Sequence, residues 1–187
     1  MDSFLFALVV VFLTSTGGRD QLLVARLSVS LGQSSALLAV AMAVCAMTAT
    51  VMAYAGASIS AMLPGPAQQM LIAMALAIAA VELFWPVKLK QPSEPTRSLG
   101  AIALVLGVRQ VGDAARFAIF ALAAATVLAP MAGLGGALGG AGALYLGWSL
   151  GESLQRGLPL RMIRIVLGCV AMTVALVVAA QARMSAI

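Results

Sequence analysis

The chain has 187 residues, 63% hydrophobic and 9% charged, with a net charge of +5 and a mean hydropathy of +1.08. Soluble domains carry roughly 25% charged residues, so the composition excludes a soluble globular protein and predicts one built into a lipid bilayer. Its few, scattered aromatics cannot interleave with basic residues as a base-stacking surface, so nucleic acid is not the expected partner.

Hydropathy predicts six spans, at about 4–30, 35–60, 67–87, 99–129, 131–153 and 163–181. The first opens with the apolar run 4–13, which lacks a basic leader and a tidy small-residue cleavage site. It therefore reads as a membrane helix rather than a signal peptide. The run ends in a polar octet, residues 14–21 (TSTGGRDQ), before a second apolar run begins. Ten helical residues rise about 15 Å, half of a roughly 30 Å hydrocarbon core, which sets the octet near the midplane. A charge at that depth costs at least ~2.5–3.5 kcal/mol and marks a functional site by default. The break after the second span is turn chemistry at Pro64-Gly65-Pro66. The third span carries Glu82 close to its polar edge, where a snorkelling carboxylate is expected ahead of a proton relay.

The fourth span repeats the pattern of the first: an apolar run, 99–108, followed by a polar octet, 109–116 (RQVGDAAR). Arg109, Asp113 and Arg116 are spaced by four and three, which predicts one shared helix face. Both long spans are expected to tilt or to break, with Gly17-Gly18 and Gly112 as the weak points. The fifth span holds glycines four apart (Gly135/Gly139, Gly136/Gly140, Gly147/Gly151), suited to close helix approach. Cys45 and Cys169 stand alone in apolar runs and read as small packed core residues. With no histidine, no nucleophile–base pair and no cofactor motif, neither an enzyme nor a bound cofactor is expected.

Shifting the first half by 95 residues lays Gly17 on Gly112, Gly56 on Gly151 and Leu63-Pro64 on Leu158-Pro159. The expected fold is therefore all-α and polytopic, six transmembrane helices in two inverted three-helix repeats. The repeats are 1–87 and 99–187, joined by a cytoplasmic linker at 88–98. Lys88, Lys90 and Arg97 in the linker, with Arg156, Arg161 and Arg164 between spans 5 and 6, place both termini outside the cytoplasm. The expected location is the cell inner membrane.

At the octets the chain resembles the six-helix manganese/calcium exporters, proposed cation/proton antiporters with a duplicated Glu-x-Gly-Asp-(Lys/Arg)-(Thr/Ser) signature in helices 1 and 4. In the first copy Gly17, Arg19 and the following Gln21 fit, with Ser15 at the glutamate position, Gly18 at the aspartate position and Asp20 at the hydroxyl position. In the second copy Gly112 and Asp113 fit, with Gln110 at the glutamate position and Ala114 and Ala115 at the last two. The resemblance implies a transported divalent cation, Mn2+ or Ca2+, held by Asp113, Gln110, Asp20 and Ser15. Gly17, Gly18, Arg19, Arg109, Gly112 and Arg116 would line its pathway. Two alternatives stay open. The midplane arginines suit an anionic or zwitterionic solute. Otherwise Arg109, Asp113, Arg116, Asp20 and Arg19 form an ion-pair network in a non-transporting chain, which assembles as a homodimer or with another membrane protein through its glycine-rich span.

Overall fold

The computed structural model describes residues 2–87, 98–151 and 153–185, apart from the side chains of Gln155 and Arg156. Most of the proposed linker, with Lys88, Lys90 and Arg97, and the Arg156 side chain lie outside the described residues. Among the described residues all regular structure is helical. The helices are α1 (Asp2–Ser15), α2 (Arg19–Ser30), α3 (Ser35–Ala61), α4 (Gly65–Phe84), α5 (Leu99–Val111), α6 (Ala114–Ala125), α7 (Ala129–Leu150), the short α8 (Ser153–Gly157) and α9 (Leu160–Met184). Helices α3, α4 and α9 are each long and apolar enough to cross a membrane. The pair α1–α2, bent by 65°, makes a fourth if it is one span. These helices mark a membrane protein, and large apolar side chains such as Leu104, Val108 and Leu176 cover its outer surface.

Both octets interrupt their helices. At the first, Gly17 takes φ +75, a left-handed conformation that strains any residue with a Cβ. Short turn bonds close the gap, from Thr16 N to Leu13 O and from Gly18 N to Ser15 O. At the second, Gly112 ends α5 and Asp113 is extended (φ −91, ψ 146) before α6 starts. The interruption destroys the helical register across the octet, so Arg109 and Arg116 belong to different helices and do not share a face.

Helix α7 forms the spine. It packs against α1, α2, α3 and α6, and its glycines are spent inside the protein rather than on an association face. A Cβ at Gly135 would collide with the Phe4 carbonyl oxygen, and one at Gly139 with that of Leu8. Gly139→Ala must therefore push α1 away from α7. Overpacking of this kind costs about 1–3 kcal/mol, so the melting temperature in detergent should drop; an unchanged value would show that the seam is looser than described.

Helix α1 and then α2 run along α7 in the same direction, from Phe4 at Gly135 to Gln21 at Gly147. Helix α5 and then α6 run along α3 likewise, from Gly107 beside Val44 to Phe120 against Gly56. Helices α3 and α7 are antiparallel: Trp148 Nε1 donates to Ser34 O at one end, and Gly133 meets Ala53 at the other. So are α4 and α9, with Glu82 at Arg164 and Gln69 at Ser185. Cys45 is buried, whereas Cys169 is exposed on α9 and is not a core residue.

Candidate functional site

The two breaks bring polar side chains into the interior, and the second supplies the most unusual one. Asp113 is the N-cap of α6, a position from which a carboxylate ordinarily accepts from the first free N–H groups. Its side chain makes no such bond. The carboxylate is 4% exposed, and neither oxygen has a hydrogen-bond partner among the described residues. A buried carboxylate without donors is a costly arrangement, relieved by a proton or by a bound ion or water.

One turn further along, Arg116 is fully buried. Its Nε donates to Thr48 Oγ1 at 2.9 Å and its Nη2 to Gln110 Oε1 at 2.8 Å. Thr48 Oγ1 itself lies 2.8 Å from Gln110 Oε1. Two neutral groups thus hold the guanidinium, tying α6 to α3 and α5. Gln110 is correspondingly unsuited as a cation ligand: its oxygen is taken by donors, and its free Nε2 is itself a donor. Arg116 Nη1 is likewise left without an acceptor and lies against Gly140.

At the first break Ser15 is buried with its hydroxyl unpartnered. Asp20 is buried, and its Oδ1 accepts from the Gln21 N–H at 2.8 Å. Gln21 staples the break, its Oε1 accepting from Gly17 N and its Nε2 donating to Ala143 O, both at 2.7 Å. Sequence reasoning gave Gln21 and Thr48 no role of their own. The 95-residue shift carried the signal, because it pairs Gln21 with Arg116 and Ala143 with Thr48, and both long side chains reach the matching place on their neighbour.

Glu82 and Arg164 correct the expectations of a snorkelling carboxylate and a loop cation. Both are buried. Arg164 Nη2 meets the two carboxylate oxygens of Glu82 at 3.1 and 3.0 Å and the Glu82 carbonyl at 2.9 Å, while Nη1 reaches Gly17 O at 3.5 Å. Arg19, its side chain 43% exposed, adds a 3.5 Å contact from Nε to Glu82. The ion pairs therefore form here, joining α2, α4 and α9, and not among Arg109, Asp113 and Arg116. Arg109 is half-buried, and its side chain makes no hydrogen bond or ion pair among the described residues.

Asp113 lies within electrostatic reach of Asp20, Glu82, Arg116 and Arg164, so the two octets and the Glu82–Arg164 pair form one charged interior. Among the described residues no three His, Cys, Asp or Glu side chains gather closely enough to hold a metal ion. Compared with known proteins, the chain matches no family model, no curated protein and no solved structure.

Proposed function

We propose that this protein is a secondary cation carrier, with its binding centre between two interrupted helices of six membrane spans arranged as inverted repeats. The observation that carries this reading is the buried Asp113 carboxylate, both oxygens unpartnered, at the break between α5 and α6. Interrupted helices at mid-depth, with free carbonyls and helix ends, are where carriers of this kind hold ions. The repeat reading is supported by helix bounds. Adding 95 to Arg19–Ser30 gives 114–125, the limits of Ala114–Ala125. The antiparallel pairs α3/α7 and α4/α9 and the parallel tracks of α1–α2 on α7 and α5–α6 on α3 suit a two-fold axis in the membrane plane. Under the positive-inside rule both termini lie outside the cytoplasm.

The test is ion flux into liposomes containing the purified protein, with and without a pH gradient. Manganese and calcium, the ions named by the resemblance, are measured beside sodium and potassium. Flux of at least one cation is expected, and Asp113→Asn should reduce it to the level of empty liposomes. Undiminished flux in that variant overturns the reading. A second reading, a small anionic or zwitterionic solute, is favoured by one observation: Arg116 Nη1 and Gln110 Nε2 are buried donors without acceptors. Uptake of amino acids or oxyanions in place of cations would establish it. A chain that moves none of these and co-purifies with a stoichiometric membrane partner would instead serve assembly.

A further inference from the structure

We infer that α6 is the outer gate of the carrier, with Ser60 and Gln68 as the latch that holds it shut. The inference rests on the carrier reading and on the orientation proposed with it, under which α6 is the non-cytoplasmic half of its span.

Helix α6 has the candidate ion ligand at one end and a fastening at the other. Asp113 is its N-cap. Ala124 lies 11 residues on, about 16 Å along the helix axis. Its carbonyl accepts from Ser60 Oγ at 2.9 Å and from Gln68 Nε2 at 2.8 Å. The last carbonyls of a helix have no partner within it, and here one of them is claimed by α3 and α4 together. Ser60, Gln68, Thr126 and the alanines that end α6 line a cavity of about 420 Å3. Between that cavity and Arg116 runs the seam of α6 with α3, where Ala49, Ala53, Ala115, Ile119 and Ala123 are buried in one cluster. Apart from Ile119 these are small side chains. They allow close approach, and they interlock too little to resist a sliding or tilting helix.

The matching end of α2 is held differently. The shift of 95 residues pairs Ala124 with Val29, Phe120 with Ala25, and Gln68 with Ile163, whose side chain cannot donate. Val29 is 55% exposed where Ala124 is 3%. A Cβ at Gly56 would collide with the Phe120 carbonyl oxygen. At Gly151, the counterpart of Gly56, it would meet only the Val29 side chain closely, with the Ala25 carbonyl oxygen 3.8 Å away. One repeat therefore fastens its outer half-helix against backbone, while the other leaves the equivalent inner one looser. Inverted repeats alternate by moving one element against another around a fixed site. Each latch bond contributes modestly to stability, so α6 can be released without unfolding the chain.

The experiment follows Cys45, a buried thiol beside Arg116 at Gly140. Cells producing the full chain, with Cys169→Ser, are treated from outside with a small membrane-impermeant methanethiosulfonate. The double variant Ser60→Ala, Gln68→Leu should label about tenfold faster than the parent, the effect of losing two such hydrogen bonds. Ser60→Thr keeps the hydroxyl and should label like the parent. Gly56→Ala, which levers α6 off α3 without removing a donor, should also speed labelling. Ala41→Cys in a Cys45→Ala background places a thiol in the inner cluster, and its labelling should not respond to loss of the latch. The inference is overturned if Cys45 labels no faster in the double variant and in Gly56→Ala. It is equally overturned if the thiol at position 41 accelerates as much, because Ser60 and Gln68 then only stabilise the fold. Ion flux in liposomes separates this from the carrier reading. Faster Cys45 labelling without flux of any ion in the parent would keep the movable helix and remove the carrier. Flux that depends on Asp113, with unchanged Cys45 labelling, would do the reverse.

Discussion

Replacing Arg164 by methionine is expected to destabilise the protein by about 3–5 kcal/mol, the cost of stripping one partner from a buried ion pair. The reason lies in what remains. Glu82 is buried and loses the guanidinium that meets both its oxygens and its carbonyl. Its other cation, Arg19, touches one oxygen at 3.5 Å from a half-exposed position and cannot replace a direct pair. The Gly17 carbonyl, set free by the helix break, loses its contact from the same side chain. Intrinsic fluorescence of Trp85 and Trp148 during thermal unfolding in detergent gives the readout. The double variant Arg164→Met, Glu82→Leu should recover most of the loss, because it removes both charges together. If the two single changes simply add, the pair is not the pin that joins α2, α4 and α9.

Much of this arrangement was legible in the sequence. A polar octet with glycines at half the length of a membrane helix has no better option than to interrupt it, and both helices stop where hydropathy placed the charge. The shift of 95 residues was legible for the same reason, since it aligns the interruptions. Side-chain partners were not. Counting by threes and fours placed Arg109, Asp113 and Arg116 on one face, but that count holds only in an unbroken helix. Hydropathy assigned Arg164 to a loop and Glu82 to an interface, because a window of averaged residues cannot register that two charges on antiparallel helices meet and bury one another. Arg116 illustrates the limit most clearly. Its partners are neutral: Gln110, from the same octet, and Thr48, 68 residues away in sequence on another helix.

Arg116→Gln should reveal how the centre manages its charge. Removing its fully buried guanidinium makes the interior that holds Asp20 and Asp113 one unit more negative. Glutamine can still donate to Gln110 or Thr48, so the loss is chiefly electrostatic, on the order of 3 kcal/mol. Adding Asp113→Asn removes an acidic group from that interior, and the double variant should be more stable than Arg116→Gln alone. Equal or lower stability would mean that Asp113 does not feel the arginine.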